Sequence, residues 1–74
     1  MKKDAIRDFY GRIIGWVETD ESTGNKTVRD FQNRILGYYD ANLNVTRDFY
    51  QRIVARGDAA TGLILQEASK NNNK

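Results

Sequence analysis

Three copies of a short motif contain most of the residues in this chain that could do chemistry. The motif Arg-Asp-Phe-x-x-Arg-Ile begins at Arg7, Arg29 and Arg47. Each copy supplies one carboxylate, two guanidinium groups and one aromatic ring. Carboxylates bind metal ions or act as acids and bases, whereas arginines interleaved with aromatic rings are typical of surfaces that bind single-stranded nucleic acid. The spacing of the three copies helps to decide between these chemistries.

The three motif aspartates are not expected to converge on a metal or catalytic site. A metal site needs several oxygen ligands around one point, but Asp8, Asp30 and Asp48 occupy equivalent positions in separate repeats. The chain has no cysteine and no histidine, so disulfides, thiolate ligands and the commonest catalytic base are missing. The stretch STGNKT, residues 22–27, lacks the second glycine of a phosphate-binding loop. We therefore expect no enzyme activity, with no catalytic residue, no cofactor and no metal ion.

The motif arginines and the nearby aromatic residues form a candidate interaction surface. Because an aspartate accompanies the arginines in each copy, we expect Arg–Asp pairs that stabilise the fold and weaken its attraction for phosphate. The chain has 12 Lys+Arg against 10 Asp+Glu, a formal net charge of +2. Binding of single-stranded nucleic acid is therefore the alternative function, not the main one. The candidate surface consists of Arg12, Arg34, Arg52, Trp16, Tyr38 and Tyr39.

The repeats favour β-hairpins, although a helical pattern is also present. The apolar residues Ile6, Ile13 and Val17 fit one face of a helix, which keeps a three-helix bundle as the alternative fold. Against that alternative, Gly15 and Gly37 would lie inside helices. Their neighbours are mostly β-branched or aromatic residues, which favour strands.

The middle of each motif has the residues of a tight turn. In the first copy, Asp8 and Gly11 occupy the first and last positions of a type I turn, and each is a preferred residue there. The second copy has Asn33 in place of glycine, and asparagine tolerates a positive φ. The third copy has Gln51, which has no such preference, so its turn is the one that the sequence specifies least. The predicted turn-forming residues are Asp8, Gly11, Asp30, Asn33 and Asp48.

Three hairpins and two polar linkers predict a mainly β protein. The predicted fold is an antiparallel meander of three tandem hairpin repeats with a short C-terminal helix. The repeats cover 6–18, 28–40 and 46–58 within one domain of residues 1–68. The predicted strands are 4–8, 12–18, 26–30, 34–40, 45–48 and 52–56.

The last part of the chain differs in composition from the repeats. Asp58 is a candidate N-cap for a short helix that contains Leu63 and Ile64. The polar residues 69–74 predict a disordered tail.

The repeats also resemble the V-x-D-x-x-G-R-I-x-G pattern of small uncharacterised bacterial proteins built of tandem β-hairpins. The resemblance rests on Gly-Arg-Ile-Ile-Gly at residues 11–15 and extends from Ile6 to Asp58. It implies the tandem-hairpin fold and no particular activity.

A single sheet of this size predicts self-association. Simple alternation places Ile13 and Val17 on one face and Ile14 and Trp16 on the other, so both faces carry apolar residues. One short helix covers only part of one face, and a second copy of the chain is the simplest cover for the other. We therefore expect a homodimeric structural or protein-interaction module. The N-terminus has no apolar signal segment and no stretch is long enough to span a membrane, which predicts a bacterial cytoplasmic location without membrane contact.

Overall fold

The computed structural model describes the backbone of residues 1–72 and the side chains of residues 1–66. Six strands form one antiparallel sheet in which every strand pairs with its neighbours in the chain. One helix follows the sheet, so the predicted mainly β meander with a C-terminal helix is confirmed and the three-helix alternative is wrong. The elements are β1 (Lys2–Arg7), β2 (Ile13–Thr19), β3 (Lys26–Asp30), β4 (Ile35–Asp40), β5 (Val45–Asp48), β6 (Ile53–Arg56) and α1 (Ala60–Asn72).

The helix is longer than the sequence predicted. It continues to Asn72, because the residues after Gly62 include good helix formers and neither glycine nor proline interrupts them. The tail predicted to be disordered, residues 69–74, is therefore helical as far as Asn72. Its last two residues, 73 and 74, lie outside the described residues. Within the described part of the chain, no helix is long and apolar enough to cross a membrane.

Each hairpin contains a bulge directly after its turn. In the first hairpin Ile6 pairs with Gly15 and Arg7 pairs with Ile13, so Ile14 is an extra residue. Because the inserted residue breaks strict alternation, Ile13 and Ile14 each lie on the face that was expected for the other. Ile14 packs against the core, whereas Ile13 shares a face with its partner Arg7. The equivalent extra residues in the other hairpins are Leu36 and Val54.

Two glycines allow α1 to lie close to the sheet. A Cβ atom on Gly15 would lie 2.6 Å from the Arg29 carbonyl oxygen and 2.8 Å from Ile64 Cγ2. A Cβ atom on Gly37, at the equivalent position of the second repeat, would lie 2.7 Å from Leu63 Cδ1. The helix packs on β2, β3 and β4. In the sequence, these two glycines argued against helical repeats. In the structure, they are the strand positions at which α1 contacts the sheet.

The core lies between α1 and one face of the sheet. Val17 and Val28 are paired across β2 and β3, and both are buried beneath Ala60 and Ile64. Partly buried apolar residues surround them, namely Ile6, Ile14, Leu36 and Leu63. This core is small, as expected for a chain of 74 residues.

The start of α1 is anchored to β5 and β3. The buried hydroxyl of Thr46 donates to the Gly57 carbonyl at 2.7 Å and accepts from the Ala59 amide at 2.9 Å. Asp58 accepts a hydrogen bond from the Ala60 amide and forms an ion pair with Lys26. The predicted N-cap is thus confirmed. Desolvation raises the pKa of Asp58, but the hydrogen bonds from Lys26 and Ala60 outweigh it and hold that pKa below its ordinary value.

Candidate interaction surface

The second arginine of each motif is held by the motif aspartate. Asp8 Oδ1 accepts from the amides of Tyr10 and Arg12, at 2.9 and 3.0 Å, and Asp8 Oδ2 accepts from Arg12 Nε at 2.9 Å. Asp30 and Asp48 make the same three hydrogen bonds in the other two repeats. One carboxylate therefore fixes the turn backbone and the following arginine together. We call this unit of turn, aspartate and second arginine the corner.

The first arginine of each motif supports the same corner from outside the turn. Arg7 Nη1 donates to the Gly11 carbonyl at 2.8 Å. Arg29 and Arg47 donate in the same way to the carbonyls of Asn33 and Gln51, both at 3.1 Å. Each of these carbonyls belongs to the residue with a positive φ. The motif recurs because four of its residues, two arginines, the aspartate and the last turn residue, build one hydrogen-bonded unit.

The three corners share one backbone conformation. The φ angles are 82° at Gly11 and 70° at both Asn33 and Gln51. Gln51 therefore adopts the turn conformation although its residue type does not favour it. Local hydrogen bonds from the backbone to Asp48 and from Arg47 hold the turn, and they outweigh the steric preference of one glutamine.

The corner hydrogen bonds also lower the pKa of the two partly exposed motif aspartates. Desolvation raises the pKa of Asp8, but the hydrogen bonds from Arg12 and Tyr10 act against it, and the pKa lies below its ordinary value. The pKa of Asp48 is lowered by the equivalent bonds from Arg52 and Tyr50, again against desolvation. Both carboxylates are therefore fully charged at neutral pH.

The structure divides the candidate surface predicted from the sequence into three places. Arg12, Arg34 and Arg52 lie at the corners, each in an ion pair with its aspartate. Trp16 and Tyr38 lie on the face of the sheet opposite α1. Each is next to a glycine that contacts α1, Gly15 or Gly37, and neighbouring strand residues point to opposite faces.

Tyr39 lies on the helix-covered face. Its hydroxyl donates to Asn44 Oδ1 at 2.6 Å, and its ring is 5.7 Å from Lys26 Nζ. The six residues therefore do not form one continuous surface.

The face without the helix, here called the open face, carries most of the sheet's positive charge. In the second and third motifs the first arginine and the aspartate are consecutive strand residues, so they point to opposite faces. In the first motif Arg7 is the last residue of β1, and its neighbour Ile6 pairs with Gly15 on the helix-covered face. Asp30 and Asp48 pair with Gly15 and Gly37 under the helix, which places the first arginines on the open face. The cations of this face are Lys3, Arg7, Arg29, Arg47 and Arg56, and its carboxylates are Glu18 and Asp40.

The sequence contained a signal for this charge sorting. The side chains of consecutive Arg and Asp residues at a strand end point to opposite faces of the sheet. Because the aspartate pairs with the second arginine, it does not neutralise the first one. The candidate surface from the sequence included only the second arginines and so omitted Arg7, Arg29 and Arg47. What could not be foreseen is that Arg29 is engaged by Glu18 at 2.8 Å.

The corner aromatic residues extend into solvent and do not fold over the sheet. Phe9 is 96% exposed, and it meets Tyr10 edge to face at 5.6 Å between ring centroids. Phe49 and Tyr50 form the same pair at 5.4 Å. The second arginines approach the tyrosine rings, Arg12 at 5.3 Å and Arg52 at 5.5 Å. Each of these two corners therefore presents an aromatic pair beside a cation.

An open groove of about 660 Å³ lies between the second and third corners. Phe49 and Tyr50 line one side of it, and Arg29, Arg34 and Ile35 line the other. The groove reaches the open face, because Arg29 and Ile35 belong to that face.

The two edge strands of the sheet differ in their exposed residues. β1 begins with Lys2, Lys3 and Asp4. β6 has only four residues, and Ile53 and Val54 are each about half exposed. Charged residues on an edge strand discourage pairing with other chains, whereas apolar ones permit it.

The described residues contain no group of three or more aspartate, glutamate, histidine or cysteine side chains placed to hold a metal ion. No protein-family model, no curated protein and no solved structure matches this chain. The fold and the surface therefore define its class on their own, a tandem-hairpin meander with one helix-covered face and one cationic open face.

Proposed function

We propose that the protein is a non-enzymatic interaction module that associates with a second copy of itself through β6. The observation that carries the proposal is the exposed apolar edge at the C-terminal side of the sheet. Its members, here called the β6 patch, are Ile53 and Val54. They are 55% and 51% exposed.

A two-fold axis suits this edge. Two copies of β6 related by such an axis run antiparallel, so their free backbone groups can pair and the β6 patch is covered on both subunits. The resulting sheet would have twelve strands, with a charged β1 at each end. Lys2, Lys3 and Asp4 then protect the only edges that remain.

The open face is less suited to a second copy than the sequence suggested. Stacking two open faces would bring Arg7, Arg47 and Arg56 of one subunit against the same cations of the other. Like charges brought together in an interface oppose association. We therefore assign self-association to the edge and not to the face.

The small core gives a further reason for self-association. Chains of this length gain only a few kcal/mol from one core and often add stability by oligomerisation. A non-enzymatic role agrees with the motif aspartates, because each is committed to its own corner. We further propose a cytoplasmic location, where a chain without cysteine folds unaffected by the reducing conditions.

The test is the mass of the protein in solution, measured by sedimentation at micromolar concentration. We expect a dimer for the unmodified chain and a monomer for Val54→Lys, because a lysine on the edge strand prevents pairing. Ala5→Lys is the matched control, since it adds the same charge to the other edge strand, and it should remain dimeric. A monomeric unmodified chain would refute the proposal. A dimeric Val54→Lys variant would exclude β6 as the interface.

A further inference from the structure

The open face combines positive charge with exposed aromatic rings in a way that self-association does not use. Trp16 lies on β2 opposite Arg29, and Tyr38 lies on β4 between Thr27 and Arg47. Both rings are partly exposed. We propose that the open face binds single-stranded nucleic acid, with its bases on Trp16 and Tyr38 and its phosphates on the surrounding cations.

The charge on this face is available to a ligand. The motif aspartates balance the second arginines at the corners, and Asp30 and Asp48 lie on the helix-covered side of the sheet. Arg7 and Arg47 use one guanidinium nitrogen for a corner carbonyl, and that neutral acceptor leaves their charge in place. A polyanion is the partner whose charge complements such a face.

The aromatic rings distinguish a nucleic acid from other polyanions. Lys3 Nζ lies 4.8 Å from the centre of the Trp16 ring. Stacking of a base on an aromatic ring is worth more than an exposed cation–π contact, so a base can displace the ammonium group. Lys3 would then be free to contact the adjacent phosphate. The groove beside Phe49 and Tyr50 offers further aromatic surface at the corner end of the same face.

One ion pair limits the affinity of the face. Glu18 lies between Lys3 and Thr27 in the strand pairing and neutralises Arg29 at 2.8 Å. Replacing Glu18 by glutamine keeps a hydrogen-bond acceptor and removes the negative charge. We expect Glu18→Gln to bind single strands about threefold more tightly, because the charge of Arg29 is released.

The binding experiment uses the full chain and a fluorescein-labelled oligothymidylate of 15 nucleotides. Trp16 is the only tryptophan, so quenching of its fluorescence reports base stacking on the open face directly. We expect the quenching and the anisotropy of the labelled strand to saturate together. We expect about four cations of the open face to contact phosphates, and each contact releases counterions from the strand. A rise from 50 to 200 mM salt should therefore weaken binding on the order of 50-fold.

Matched variants within the third hairpin locate the site. Arg47→Gln removes a cation from the open face and should weaken binding about fivefold. Arg52→Gln removes the same charge from the corner, where Asp48 pairs with it, and should change affinity less than twofold. Equal losses in the two variants would show that net charge alone acts, and would overturn the proposal.

Other ligands define the remaining outcomes. No binding of the oligonucleotide at 50 mM salt would overturn the proposal, as would binding without quenching of Trp16. Tighter binding to heparin than to the oligonucleotide would indicate a general polyanion surface instead. Binding to vesicles with anionic lipid, without binding to the oligonucleotide, would indicate a membrane surface and refute nucleic acid as the partner. Because Val54→Lys leaves the open face intact, its binding tests this proposal separately from self-association.

Discussion

The helix-covered face and the open face are built from the same three repeats, yet they differ in side-chain size and in charge. Under the helix the sheet presents glycines and valines, together with Asp30 and Asp48. On the open face it presents Trp16, Tyr38 and the first arginine of each motif. The difference arises from residue order, because alternation along a strand sends neighbouring residues to opposite sides, and from the bulge in each hairpin, which brings Ile14 to the core. A short repeat can therefore supply a packing surface and a binding surface at once.

The largest effect is expected where the helix touches the sheet. Gly15→Val should lower the free energy of unfolding by about 3 kcal/mol, because the added side chain meets the Arg29 carbonyl and Ile64. Thr27→Val, on the open face of the adjacent strand, should change it by no more than about 0.5 kcal/mol. Urea denaturation of both variants measures the contrast. Similar losses at the two positions would remove the distinction between the faces.

The next effect concerns the most buried corner. Asp30→Ala should lower the free energy of unfolding by about 2.5 kcal/mol, because it removes a buried carboxylate and leaves the part-buried amides of Gln32 and Arg34 without their acceptor. The Asp30 side chain is 3% exposed, against 19% for Asp8. Asp8→Ala should therefore cost less, since water can replace the carboxylate. Equal thermal shifts in the two variants would mean that burial by the neighbouring hairpins adds nothing to the corner.

A smaller, stabilising effect is expected at the third corner. Gln51→Gly should raise the free energy of unfolding by about 0.7 kcal/mol, since glycine adopts a φ of 70° without steric strain. Asn33→Gly should gain less, because asparagine already tolerates that conformation. Thermal melting tests the order of these gains. A loss of stability in Gln51→Gly would show that the glutamine side chain contributes a contact of its own.

The smallest effect concerns pH and the first and third corners, whose aspartates are less buried than Asp30. The folded pKa values of Asp8 and Asp48 lie below the ordinary value of 3.8. A lowered pKa in the folded state adds stability that is fully present above the unfolded pKa and is lost as pH falls through the folded pKa. The urea midpoint should therefore decrease below about pH 4. The double variant Asp8→Asn, Asp48→Asn should be less stable at pH 7 and show a shallower decrease.

The sequence predicted the sheet well because its signals are local. Turn chemistry at Asp8 and Asp30 placed the hairpins, and each predicted strand lies within two residues of the observed one. The corner at Gln51 was judged by the preference of one residue, whereas several hydrogen bonds together determine its conformation. The role of Gly15 and Gly37 could not be predicted either. The lack of a side chain at these two positions is explained only by the helix that packs against them.

The surface was harder to predict than the fold. The sequence correctly suggested pairs between arginine and aspartate, but did not reveal which arginine each aspartate would bind. The bulge that exchanges the faces of Ile13 and Ile14 cannot be recognised from the residue types around it. Both facts depend on contacts across the hairpin, and these decide which residues reach the open face.

The strand order of the sheet, identical to the order along the chain, has a consequence for the rate of folding. Each strand finds its partner across a short loop, and closing such a loop takes well under a millisecond. Chains dominated by contacts between sequence neighbours fold faster than sheets with distant pairings. Among the elements that the structure describes, the distant step is the return of α1 onto β2, β3 and β4. We therefore expect hairpins to form independently and early, with docking of the helix onto Gly15 and Gly37 as the slow, final event.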